Sequence, residues 1–322
     1  MAKSPNETLV TVFGASGFVG RHVVRALAKR GYRVRAACRR PDLAGHLQPM
    51  GTVGQIHGVQ ANLRHPVSVA NAIEGADIVI NLVGVLHETG AQSFSAVHTI
   101  GAGVIASQAK AAGVSRLIHL SSLSADENSA SEYARSKADA EAAVKKEFPE
   151  AVILRPSVIF GPEDQFFNKF AALARLSPVL PLIGGGKTLF EPVYVGDVAE
   201  AVALAADGDV SGGIYELGGP EVMSLADVFS FVCDTTERNR LMVPLPFMIA
   251  KIKAAFLQIL PNPVLTIDQV DLLRSDSVVS ENAKSTGRTL SGLGIDPRSV
   301  ESLVPEYLHR FRRTGEFEIT EA

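Results

Sequence analysis

The chain has 322 residues, 46% hydrophobic and 20% charged, with a formal net charge of −3 at pH 7. That composition supports a packed core and argues against a disordered chain, and the slight acidic excess gives no reason to expect nucleic acid as a partner. Only 2 cysteines are present, Cys38 and Cys233, far apart and outside any CxxC or Cys/His ligand spacing; this argues against a disulfide framework and any metal site, and for a reducing compartment.

The first residues, Met-Ala-Lys-Ser-Pro-Asn-Glu-Thr, lack the apolar core of a signal peptide and the Arg/Ser-rich character of a transit peptide. No uninterrupted apolar run reaches the roughly 20 residues of a spanning helix, so the expectation is a cytoplasmic protein. Residues 9–13 form a compact β-prone run followed by a glycine-rich turn. Residues 19–30 predict a helix: Val23, Ala26, Leu27 and Arg30 fall at helical spacing and Gly31 is placed to stop it. Further strands are expected at 32–38, 78–83, 116–121 and 151–155. Helical segments are expected at 67–73, 95–112 and 132–148. Alternating strands and helices with continuously apolar strands predict an α/β fold with a doubly wound parallel sheet, the Rossmann arrangement. Beyond Gly161 the pattern loosens and Pro178, Pro181 and Gly184–Gly186 crowd together. The division expected is a nucleotide-binding domain over 1–160, its sheet completed by later segments, and a smaller mixed region over 161–322 that packs above the cleft.

The turn reads Gly14-Ala15-Ser16-Gly17-Phe18-Val19-Gly20. Between a strand and a helix, Gly14 permits a tight turn, Gly17 lets a pyrophosphate approach the backbone, and Gly20 lets the helix pack closely on the sheet. The helix N-terminus adds free N–H groups and partial positive charge. Gly14, Ser16, Gly17, Phe18, Val19 and Gly20 are therefore candidate nucleotide contacts; the bland reading is a structural glycine turn. The second strand ends Ala37-Cys38-Arg39-Arg40-Pro41, with no acid where NAD-selective folds place one to hold the ribose hydroxyls. Arg39 and Arg40 suit a 2′-phosphate instead, which favours NADP(H) over NAD(H), with a solvated basic loop end as the alternative.

Tyr133-Ala-Arg-Ser-Lys137 puts a phenol and an ammonium one helical turn apart. The nearby charge is expected to lower the phenol's pKa and fit it for proton exchange with a carbonyl or alcohol oxygen. Ser121 and Ser122 end the strand upstream, at the carboxyl edge where ligands bind in such sheets, and Ser122 could orient the same oxygen. Tyr133 and Lys137 are candidates both for catalysis and for cofactor contact. Taken alone, a Tyr/Lys pair at this spacing is ordinary surface decoration.

Gly14–Gly20, Ser122, Tyr133 and Lys137 resemble the cofactor turn and Ser/Tyr/Lys site of the extended short-chain dehydrogenase/reductase superfamily. Residues 155–162 (RPSVIFGP) resemble the segment that passes the nicotinamide there, which nominates Pro156 and Val158. Residues 155–170, 191–198 (EPVYVGDV), 215–220 (YELGGP) and 245–270 resemble the nucleotide-binding accessory subunit of respiratory complex I and its bacterial relatives. That resemblance covers nearly the whole chain. It implies tight NADPH binding without established turnover, and a place beside the inner face of a membrane near the quinone-reducing region. Val83 is nominated with it. The chain departs from the superfamily at Ala61-Asn62-Leu63, where many members carry an Asp, leaving Asn62 and Leu63 for adenine contact. It also has His98 where many have an Asn; a lone His on a core-facing helix is usually a satisfied core residue.

Residues 247–260 carry eight large apolar side chains between prolines, too short and too charged to span a bilayer. The 244–261 segment is either a core helix over the cleft or a surface for a membrane or a complex I partner. His309-Arg310-Phe311-Arg312-Arg313 is either a source of headgroup attraction or a solvated helix face. Two functions stay open: an NADP(H)-binding accessory or assembly subunit, and an active NADP-dependent oxidoreductase or epimerase on an unknown carbonyl or alcohol.

Overall fold

The computed structural model describes residues 3–258, 263–313 and 315. In chain order the strands are β1 (Leu9–Phe13), β2 (Arg33–Cys38), β3 (Ile56–Gln60), β4 (Ile78–Asn81), β5 (Arg116–Leu120), β6 (Val152–Pro156), β7 (Ile159–Phe160), β8 (Val179–Ile183), β9 (Leu189–Phe190), β10 (Val193–Tyr194), β11 (Gly213–Leu217), β12 (Met223–Ser224) and β13 (Leu241–Leu245). The helices are α1 (Phe18–Lys29), α2 (Pro66–Ile73), α3 (Gly101–Ala111), α4 (Glu132–Glu147), α5 (Phe167–Leu176), α6 (Val195–Asp207), α7 (Leu225–Thr235), α8 (Phe247–Leu257), α9 (Ile267–Leu272), α10 (Glu281–Ser285) and α11 (Val300–Leu308).

Seven strands form one parallel sheet in the order β11-β6-β5-β4-β1-β2-β3. Its strands are apolar because both faces are covered. Val10, Val12, Ile80, Ile118 and Leu154 pack into one core with residues of α1 and α6. Phe13, Val79 and Leu117 point the other way, into a second core with α2, α3 and α4. The chain runs outward from β1 through β2 to β3, then crosses to β4 on the opposite side of β1. The crevice opens at the carboxyl ends of β1 and β4, where strand order reverses.

Two sheet strands escape the apolar-run reading. β3, Ile-His-Gly-Val-Gln, sits on an edge with one face half-exposed, so it carries polar residues and a glycine. β11 forms the other edge and comes from beyond residue 160. α6, from the same region, packs against α1. The helical segment predicted at 95–112 opens with a π-helical turn over Ser95–Ile100 before α3 begins. The remaining C-terminal elements gather around a third core that includes Phe160, Phe167, Phe190 and Phe229, built largely from edge-on aromatic pairs. Three two-stranded ribbons, β7/β10, β9/β12 and β8/β13, belong to this region.

α8 divides between the two readings of its sequence. Ala250 and Ala254 are fully buried in a small fourth core with Ile183 and Val270, while Met248, Ile249, Ile252 and Phe256 are exposed. The predicted end of that segment, residues 259–261, lies outside the described residues. Within the described residues no helix is long and apolar enough to cross a membrane.

A charged pair sits within the α4 face of the sheet. Glu141 of α4 is buried; its two oxygens accept from Arg155 Nε and Nη2 of β6, both at 2.7 Å, and one also accepts from Ser121 Oγ at 2.6 Å. Removing one partner leaves a desolvated charge. Arg155→Ala should cost about 3 kcal/mol of unfolding free energy. The paired replacement Arg155→Met with Glu141→Leu should regain more than half of that, as read from urea denaturation.

Candidate functional site

The glycine turn closes on itself. Gly14 N–H donates to Ala37 O of β2 and Gly17 N–H to Gly14 O, both at 3.1 Å. Gly14 has φ +81°, a left-handed conformation that favours glycine, and a Cβ there would stand 3.1–3.2 Å from the backbone of Leu82 and Val83. A Cβ on Gly20 would lie 2.2 Å from Gly14 O and 2.6 Å from Ala15 O. The third glycine thus makes room for the turn itself, closer than the helix–sheet packing predicted for it. The first closed turn of α1 runs from Arg21 N–H to Gly17 O at 3.1 Å. The N–H groups of Phe18, Val19 and Gly20 precede it and face the crevice end of the helix. This cradle fits a pyrophosphate: no Cβ obstructs it, and the helix N-terminus supplies donors and positive potential. Ser16 lies in the turn and hydrogen-bonds the Cys38 thiol, whose pKa burial raises.

The other predicted nucleotide contacts ring this turn unevenly. Val83 passes Gly14, its N–H donating to Asn81 Oδ1 at 3.1 Å. Arg39 is exposed at the end of β2, and its Nη1 donates to Gln92 Oε1. Arg40 turns onto Asp42, its Nη2 2.8 Å from the carboxylate, so its charge is already met. Asn62 spends its side-chain oxygen on Arg64 N–H at 3.2 Å, forming a local turn. Leu63 is buried in the second core, against Gly101, leaving only its backbone toward a ligand. Pro156 ends β6 and Val158 lies just past it, with Pro156 O accepting from Leu123 N–H at 3.0 Å and Val158 O from Val193 N–H at 2.9 Å.

Tyr133, Lys137 and Ser122 converge at the carboxyl edge, but their electrostatics differ from the sequence expectation. Burial pushes the Tyr133 phenol up to about 12; a hydrogen bond with Ser122 opposes this, and the nearby Asp268 adds to it. Burial brings Lys137 down to about 8. The ammonium does not lower the phenol: Lys137 Nζ donates to Leu120 O at 3.2 Å and lies 5.9 Å from the centre of the Tyr133 ring. Desolvation of both groups outweighs their mutual attraction.

His98 belongs to this site and is fully used. Nε2 accepts from Val85 N–H at 3.0 Å and Nδ1 bonds Ser136 Oγ at 2.9 Å, while Ser136 Oγ donates to Tyr133 O at 2.7 Å. Phe94 stacks on His98, and both rings meet Tyr133 edge-on. His98 therefore staples the loop after β4 to α4. Nearby, on β5, is His119, whose Nδ1 lies 3.1 Å from Asn81 Nδ2 and whose buried Nε2 has no hydrogen-bond partner among the described residues.

Asp268, from α9, was not foreseen. Oδ2 accepts from Ser131 Oγ at 2.9 Å, and Oδ1 from Glu132 N–H at 2.6 Å and Tyr133 N–H at 3.4 Å. It caps the helix end that carries Tyr133 across more than 130 residues of sequence, so no local pattern announces it. Lys251 of α8 pairs in turn with Asp271 of α9 at 2.6 Å.

Against known proteins, the profile of the NAD dependent epimerase/dehydratase family matches residues 10–218. The chain belongs to that family. It is 37% identical over 320 residues to the Arabidopsis thaliana mitochondrial NADH dehydrogenase [ubiquinone] 1 alpha subcomplex subunit 9, covering 95% of this chain and 79% of the relative. The kinship with the alpha subcomplex subunit 9 family suggested by the second-half motifs is thereby shown. A ceramide reductase of Caulobacter vibrioides is 38% identical over 175 residues, 54% of each chain. Among solved structures, the dTDP-glucose 4,6-dehydratase DesIV of Streptomyces venezuelae, with NAD bound, superposes at TM-score 0.71 and 19% identity over 94% of this chain and 96% of its own. The last likeness supports the fold. Among the described residues no group of three or more His, Cys, Asp or Glu is placed to hold a metal.

The two histidines predict a pH dependence. Burial lowers both His98 and His119 from the ordinary 6.5 to about 3. Between those values the unfolded chain binds more protons, so stability rises with pH through the window and is lost as pH falls from 6.5 toward 3. In the middle of the window each imidazole contributes a slope approaching about 1.4 kcal/mol per pH unit. Urea titrations at about pH 6 and about pH 5 should show the decline, and His119→Asn should remove roughly half of the histidine contribution.

Proposed function

We propose that the protein binds NADP(H) and serves as an accessory or assembly subunit of a respiratory NADH–quinone oxidoreductase, or as a regulator beside one. The observation that carries this reading over turnover is the state of Tyr133: burial pushes its phenol up to about 12, and Lys137 Nζ donates to Leu120 O rather than to that phenol. Such a tyrosine stays protonated near neutral pH, so it does not serve as a base there, yet it remains a good hydrogen-bonding contact. The likeness to complex I subunits over nearly the whole of this chain supports the same reading.

In this reading residues 1–160 hold the nucleotide, with Gly14, Ser16, Gly17, Phe18, Val19 and Gly20 around the pyrophosphate, and Arg39 at the 2′-phosphate. Val83, Tyr133, Lys137, Pro156 and Val158 lie toward the nicotinamide half, while Asn62 and the Leu63 backbone lie toward the adenine. When bound, a nicotinamide nucleotide supplies hydride chemistry; here its main effect is to stabilise the fold, because it binds only the native state. Residues 161–322 close the cleft and present α8. The exposed Met248, Ile249, Ile252 and Phe256, with Lys253 exposed among them, suit a bilayer interface with the helix axis parallel to the surface. The protein is then peripheral on the inner face of the membrane.

A second reading, an active oxidoreductase or epimerase, is favoured by two facts: Ser122 still bonds the Tyr133 phenol, and burial brings Lys137 down to about 8. Purified protein should contain about one slowly exchanging NADPH per chain, measured by gentle denaturation and chromatography. Titration of the stripped protein should show NADPH bound more tightly than NADH. Empty protein with weak, rapidly reversible NADPH binding would move the case to the enzyme reading. There Tyr133→Phe would abolish turnover while leaving NADPH affinity nearly intact. A preference for NADH would overturn the role of Arg39.

A further inference from the structure

Arg39 is the one strand-end guanidinium of β2 that no carboxylate pairs among the described residues; Arg40 has Asp42. Its partner is the neutral side-chain amide of Gln92, 53 residues along the chain. Gln92 is presented by a closed turn: Thr89 N–H donates to Gln92 O at 3.2 Å and Gln92 N–H to Thr89 O at 3.0 Å, around Gly90 with φ +54°. The loop that carries it is fastened at both ends. Val85 N–H donates to His98 at its start, and Glu88 accepts from Phe94 N–H at 2.7 Å at its close. The loop therefore spans from the end of β2 to the ring of Phe94 against Tyr133.

We propose that Gln92 is a specificity-determining residue: it holds Arg39 with a neutral amide until a 2′-phosphate displaces it. This rests on the NADP(H) reading above. A single amide oxygen satisfies one guanidinium N–H, whereas a phosphate accepts from the fork with charge assistance, so the exchange favours the phosphate. A nucleotide with only a 2′-hydroxyl offers no such gain and leaves Arg39 on Gln92. The amide thereby sets the threshold a nucleotide must exceed to recruit Arg39, since a site closed for part of the time lowers apparent affinity by that fraction.

The test measures NADPH and NADH affinities of the stripped full chain by nicotinamide fluorescence, in a protein with no tryptophan to interfere. The variants are Gln92→Ala, Gln92→Glu and Arg39→Ala, with each Gln92 change repeated on the Arg39→Ala background. Gln92→Ala should tighten NADPH by about 3- to 10-fold and raise the NADPH/NADH ratio. Gln92→Glu should pair with Arg39 and weaken NADPH by about 10-fold or more, lowering that ratio. On Arg39→Ala neither change should move the ratio further. If both Gln92 variants leave the ratio unchanged while Arg39→Ala still collapses it, Gln92 is no determinant and the NADP(H) reading survives alone. If the unmodified chain shows no preference and Arg39→Ala changes nothing, both fall together.

Discussion

The contact on which the molecule depends is the approach of α1 to the turn that precedes it, where a Cβ on Gly20 would lie 2.2 Å from Gly14 O. No room exists there for one methyl group. The approach aims the open N–H groups of α1 at the crevice, and it lets the helix lie low enough to share a core with α6. The strand reversal places the ends of β1 and β4 beside that helix end. The anion cradle and the fold's main packing contact are thus the same constraint.

The opposite face of the sheet is organised by polarity. Asn81 of β4, His119 of β5 and Arg155 of β6 lie beneath Lys137 and Glu141 of α4, against a core that is otherwise apolar. Burying these groups disfavours their charged forms unless partners compensate. Glu141 and Arg155 compensate each other; Lys137 donates to a carbonyl, and the attraction of Glu141 does not offset its burial, so its pKa falls. The site's acid–base character therefore follows from where α4 settles, and α4 is held at one end by Asp268, a residue of the C-terminal region.

Much of the fold was legible because buried parallel strands are continuous apolar runs. β1, β4, β5 and β6 read this way, and the glycine turn between β1 and α1 was read from spacing alone. β3 was hidden because an edge strand with one open face needs few apolar residues. Within the site, Tyr133 and Lys137 were visible as a pair one turn apart, but their protonation was not. Spacing shows that two groups are neighbours; burial decides which charge survives. Asp268 and Gln92 act across 137 and 53 residues, and each occupies a position with no local signature. Arg39 and Arg40 differ in a way that their adjacency hides: Arg40 pairs with the carboxylate of Asp42, two residues away, while Arg39 meets a neutral amide.

The histidines at the site also differ in a way that one-letter sequence conceals. His98 Nε2 receives a backbone N–H, so its proton must reside on Nδ1. Asn81 Oδ1 is claimed by Val83 N–H, which turns its amide group toward His119 Nδ1 and leaves the proton of that ring on Nε2. Two neutral imidazoles within one polar seam are thus fixed as opposite tautomers. One serves the chain as an acceptor for a loop, and the other carries a donor into a core where no acceptor meets it among the described residues.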